Sequence, residues 1–233
     1  MGDTSPQKLP DEVAQLPRGF GLWWRWTLAT ALGEFAGFAV PAIVGAVVAA
    51  TLGTAAIVAN DVILTVAVSL AGMVEGITLG YVQWRVLRMR LPRMTAREWV
   101  VPTALAAGIA YLFGMTPATL ANILSTDSPL FFVVVVIASM LILLSIGTAQ
   151  WLTLRHYLRR AGWWIPANIL AWLFGLPAPF LGLAAVPDNS PTATFILVGI
   201  LSGLLMGIAV GAITGIVLVR LLHTSPPASE TSF

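Results

Sequence analysis

Six stretches of the chain are almost unbroken runs of apolar residues, at 26–50, 62–84, 99–123, 129–152, 163–186 and 192–219. Polar and charged residues collect in the short segments between them and at the two ends. Each run supplies the roughly 20 residues that a helix needs to cross about 30 Å of hydrocarbon. None alternates apolar and polar positions as a lipid-facing barrel strand would. A helix that is apolar all round has no water-facing side. The pattern therefore predicts an all-α integral membrane fold with six transmembrane helices. The polar stretches set off a tail at 1–19, a membrane domain at 20–222 and a second tail at 223–233.

Composition sharpens this. Of 233 residues, 58% are hydrophobic and 9% are charged, with a mean hydropathy of +0.90. A soluble domain carries about 25% charged residues, so lipid is the expected solvent and the lipid bilayer the expected partner. All 12 Lys and Arg fall in the ends and alternate loops: Lys8, Arg18 and Arg25, then Arg85, Arg88, Arg90, Arg93 and Arg97, then Arg155, Arg159 and Arg160, then Arg220. The other loops, around Asn60–Asp61, Ser125–Ser128 and Pro187–Ser190, hold acids and no base. By the positive-inside rule both termini are cytoplasmic, in a bacterial inner membrane. Eight of the nine Trp lie at that same boundary, with Trp172 alone inside a run. The first run is too long for a signal peptide and is expected to remain as a helix.

Two odd hexamers recur, QWRVLR at 83–88 and QWLTLR at 150–155, each closing an apolar run. A glycine stands eight residues before each final arginine, Gly80 and Gly147. The segments that follow also match, EWVVPTA at 98–104 and WWIPAN at 163–168, with Trp99 set against Trp163. WTLATALG at 26–33 resembles WVVPTALA at 99–106, and GIVLVR at 215–220 keeps the arginine without the Gln-Trp pair. These matches predict three tandem helical hairpins, at about 20–88, 97–158 and 162–222. Parallel repeats imply an axis along the membrane normal, here a pseudo-threefold one. That topology resembles mitochondrial carriers, but their Pro-x-acid-x-x-base signature is absent after Pro41, Pro117 and Pro177. The hexamer itself is expected to be an interfacial anchor, with ring in lipid and arginine at phosphate headgroups. Prolines at 41, 117, 177 and 179 predict breaks in the odd-numbered helices.

Glycines repeat every fourth residue at Gly72, Gly76 and Gly80, and at Gly199, Gly203, Gly207, Gly211 and Gly215. Such faces let helices approach closely, within the bundle or against a membrane-protein partner or a second copy. Glu34 and Glu75 are the only ionisable residues deep in the runs. Each lies about 12–14 Å from the tryptophan level at 1.5 Å per residue. Intramembrane acids are functional candidates by default, and a pair at one depth can hold a proton. Thr30 and Thr78 share their faces at helical spacing, and Asn168 lies near the same depth. These five residues form the candidate proton- or solute-binding site. Structural glue between helices is the competing role.

Several chemistries are excluded or unsupported. There is no Cys, hence no thiolate site, and no Lys in a run for a retinal Schiff base. His156 and His223 lie at run edges, away from any buried cofactor, and no cofactor or metal is expected. Catalytic and nucleotide-binding motifs are missing, and no basic face suits nucleic acid. The QWxxLR repeat followed by a Trp-initiated helix, with GAITG at 211–215, resembles bacterial polytopic membrane proteins of uncharacterised function. The resemblance implies fold and membrane location but no activity. The expected function is a non-catalytic binding or scaffold subunit, not an enzyme. The alternative is a small-solute or ion transporter, proton-coupled through Glu34 and Glu75.

Overall fold

The computed structural model describes residues 19–52, 58–187 and 189–224. Among these, all regular structure is helical: α1 (Phe20–Leu52), α2 (Val58–Leu87), α3 (Ala96–Ala121), α4 (Pro129–Leu154), α5 (Trp164–Gly175), α6 (Pro177–Ala184) and α7 (Thr192–Thr224). A single 3-10 turn, Ala161–Trp163, leads into α5. Six helical segments are long and apolar enough to cross a membrane, the fifth being the α5–α6 pair. Apart from Gly19, His223 and Thr224, the two polar tails lie outside the described residues. The loop expected around Asn60–Asp61 is instead the first turn of α2, which begins at Val58.

The proline expectation divides. Pro41 and Pro117 sit inside continuous helices, whereas the fifth span is cut at Leu176 just before Pro177. In the fifth span two prolines in three residues remove two backbone donors, and the helix restarts as α6. Helix ends use ordinary caps. Thr95 and Glu98 form a capping box at α3, and Ser128 caps α4 with Pro129 in the first turn.

The helices form a closed ring. Each of α1 to α4 packs against the next, α4 meets α5, and α7 packs against both α5–α6 and α1. Large apolar side chains line the outside of every span, among them Leu32, Ile63, Leu105, Phe132, Phe174 and Leu205. In water such a surface would be an aggregation hazard, whereas hydrocarbon solvates it.

Glycine turns most of its periodic faces inward. A Cβ on Gly76 would lie 2.7 Å from the Ala104 Cα of α3, and one on Gly211 would lie 2.8 Å from the Thr27 Cα of α1. At those two positions any side chain would collide with backbone, so hydrogen is required for the helices to touch. Gly72, Gly80, Gly207 and Gly215 likewise face a neighbouring helix of the same chain. Only Gly199 and Gly203 of the two expected stripes meet open space. The stripes therefore serve the bundle at six of eight positions, because without a hydrophobic drive in lipid, close backbone contact holds helices together.

Candidate functional site

Three tryptophans meet at the centre of one end of the ring: Trp26 of α1, Trp99 of α3 and Trp164 of α5, each fully buried. Ring centroids are 6.2 Å apart for Trp26–Trp99, 5.7 Å for Trp26–Trp164 and 6.2 Å for Trp99–Trp164. Interplanar angles of 73°, 76° and 66° make all three contacts edge-to-face, the arrangement that sets a positive ring edge on a negative ring face. The sequence match paired Trp99 with Trp163. Trp163 is instead 65% exposed, and the 3-10 turn carries Trp164 into the cluster.

Each indole N–H is satisfied from the preceding even-span helix in the ring. Trp99 donates to Gln83 Oε1 of α2 at 3.3 Å, and Trp164 donates to Gln150 Oε1 of α4 at 3.0 Å. Trp26 donates to Thr214 Oγ1 of α7 at 2.9 Å. Gln83 Nε2 donates to Thr30, while Gln150 Nε2 reaches both Thr103 and Gln83 Oε1, all at 3.2 Å. The result is a buried polar belt one turn below the ring cluster. Asn168 completes it on α5, donating to the Trp164 carbonyl at 3.0 Å.

The hexamers thus have two faces. Outside, Arg88 lies 5.1 Å from the Trp84 ring centroid and Arg155 lies 5.3 Å from that of Trp151, a cation–π pair at each helix end. Inside, the glutamines are buried in the belt, a role the anchor reading did not include. In α7 the belt position is Thr214. Alignment on Arg220 had pointed to Gly215, one residue later.

The two acids come together below the belt. Glu34 is 1% exposed and faces the Glu75 carboxyl across the α1–α2 contact. Glu75 Oε2 accepts the Tyr111 hydroxyl of α3 at 2.6 Å. The Tyr111 ring lies across Gly72, where a Cβ would collide with it. Neither Glu34 oxygen meets a donor among the described residues, nor does the buried Trp172 indole N–H find an acceptor. Glu34 and Trp172 stand eight residues after Trp26 and Trp164 respectively. Both line one small central cavity of about 10 Å³, with Asn168, Gln83, Gln150 and Thr214 among the other walls.

Of the other expected site residues, Asn168 reaches this cavity. Thr30 is buried but its hydroxyl serves Gln83. Thr78 is turned away, donating to its own helix at the Val74 carbonyl, 3.1 Å. Tyr111, Trp172, Gln83, Gln150 and Thr214 were not singled out as site residues. Tyr111 and Trp172 carry a signal, being polar-edged aromatics set deep in apolar runs. Among the described residues no three His, Cys, Asp or Glu gather as a metal site.

No family model, curated protein or solved structure matches this chain. Chemically, the arrangement offers a polar belt hydrogen-bonded from helix to helix, and below it a carboxyl with no donor among the described residues.

Proposed function

We propose that the chain is a non-catalytic binding or scaffold subunit of a bacterial inner membrane, built as three tandem hairpins about a pseudo-threefold axis. The observation that carries this reading is the closed centre. Tryptophans and the polar belt crowd it, and the cavity beside them has room for about one water molecule. A bundle packed this way is a rigid body whose outer surface does the binding.

The threefold order is supported by three sets of like contacts. Gly80, Gly147 and Gly211 lie against Thr103, Asn168 and Thr30, each on the first helix of the next hairpin around the ring. Gln83, Gln150 and Thr214 each accept the tryptophan of that same helix. Leu87, Leu154 and Leu218, four residues further on, are fully buried in one cluster with the three tryptophans. The arginine distribution supports cytoplasmic termini. The chain has no Cys, so single cysteines introduced in the 125–128 loop and in either tail report sidedness cleanly. Labelling of the 125–128 loop from the cytoplasm would overturn the orientation.

A second reading, proton-coupled transport, is favoured by one observation: Glu34 is buried without a donor. Proteoliposomes loaded with a pH-sensitive dye separate the two. The scaffold reading expects no decay of an imposed pH gradient beyond that of protein-free vesicles. Decay that disappears in Glu34→Gln would replace it with the transport reading.

A further inference from the structure

Beyond either reading of function, the unpaired groups below the belt ask for a ligand. A buried polar atom without a partner costs about 1–3 kcal/mol, and here an acceptor group and a donor are left bare on the same cavity. Glu34 supplies two oxygens and Trp172 supplies one N–H. The volume of about 10 Å³ matches the smallest space that admits a water, and a water needs two to four polar neighbours.

The chemistry of the walls selects among small occupants. A monovalent cation would sit against an indole N–H, whose hydrogen is positive. Glu75, the second acid, is not a wall of the cavity, so it cannot help to ligate one. A water can accept from Trp172 and donate to Glu34 at the same time. Asn168 has committed its amide N–H to the Trp164 carbonyl, which leaves its side-chain oxygen for the second water hydrogen.

The carboxyl pair carries a matching constraint. Two carboxylates have only acceptors to offer each other. The Tyr111 hydroxyl satisfies one oxygen of Glu75, and no Lys or Arg lies in the sequence between Glu34 and Glu75. One proton on Glu34 turns that repulsion into a hydrogen bond: the Glu34 hydroxyl donates to Glu75, and its carbonyl oxygen accepts from the water.

We propose that the cavity holds one structural water bound by Glu34, Trp172 and Asn168, and that Glu34 and Glu75 share a single proton. The site's ligands are therefore water and a proton, in a chain running Tyr111, Glu75, Glu34, water, Trp172 across four helices.

Two measurements on the intact, detergent-solubilised protein test this. A structure at water-resolving resolution should show one density peak within hydrogen-bond reach of Trp172 Nε1 and Glu34. An empty cavity would overturn the proposal, as would a peak that acquires anomalous signal after exchange into rubidium. Infrared spectra at neutral pH should contain a protonated-carboxyl band from the buried pair. The band should be lost in Glu34→Gln and shifted, not lost, in Trp172→Phe. Absence of the band in the wild-type protein, or its persistence unchanged in Glu34→Gln, would overturn the shared proton. The wild-type density and band stand as tests even if a variant fails to fold.

Discussion

The polar belt and the acid pair occupy adjacent layers of one bundle, Glu34 lying one turn beyond Thr30 on α1. They meet burial in opposite ways. In the belt, amides and hydroxyls both donate and accept, and the indoles donate to them, so buried groups are matched across helix contacts. Gln83 alone ties α2 to α1, α3 and α4. The acid layer draws on groups that accept only, and its one clear donor, Tyr111, comes from a third helix. The difference separates structure from chemistry. A saturated network rigidifies, because every alternative leaves something unpaired. An unsaturated layer keeps capacity for a ligand.

That contrast can be probed by breaking each layer in turn. The largest loss is expected from Gly211→Leu, which drives a side chain into the Thr27 backbone beside the belt. About 3 kcal/mol or more is expected from overpacking against backbone that cannot give way. Gly203→Leu is the matched control: its Cβ meets nothing within 4 Å, so stability should stay within about 0.5 kcal/mol. Unfolding by SDS titration in bicelles reads both.

Next comes Gln83→Leu. It removes the acceptor shared by Trp99 and Gln150 and the donor to Thr30, and should cost about 2–3 kcal/mol. Glu34→Gln should cost less than about 1 kcal/mol in the same assay, since the wild-type oxygens already lack a protein donor. Equal losses in the two variants would erase the distinction between the layers. Tyr111→Phe should cost about 1 kcal/mol, the worth of one interhelical hydrogen bond. A loss as large as that of Gln83→Leu would mean that the acid pair, too, holds the bundle together.

The candidate site was half legible in the sequence. Glu34 and Glu75 announce themselves because an acid in hydrocarbon is costly and therefore rare. Their meeting across α1 and α2 follows from equal depth on two helices that are consecutive in the chain. Thr30 and Thr78 were chosen by helical spacing, which says that residues share a face but not which helix that face meets. Thr30 turned to Gln83, and Thr78 turned away. Trp164 displaced Trp163 because a 3-10 turn, invisible as a pattern, shifts the phase of α5 by one residue.

What the sequence determined by itself is the set of lengths and chemistries: six apolar segments, arginines confined to alternate loops, glycines every fourth residue, two intramembrane acids and a recurring Gln-Trp helix end. Tertiary structure alone decided direction. In water an apolar stripe marks the inward face of a helix. In lipid the outward and inward faces are both apolar, so periodicity loses its meaning. Only the packed ring turned Gln83 and Gln150 to the bundle centre, set the glycines against neighbouring backbone, and brought Glu34 and Trp172 to the same cavity.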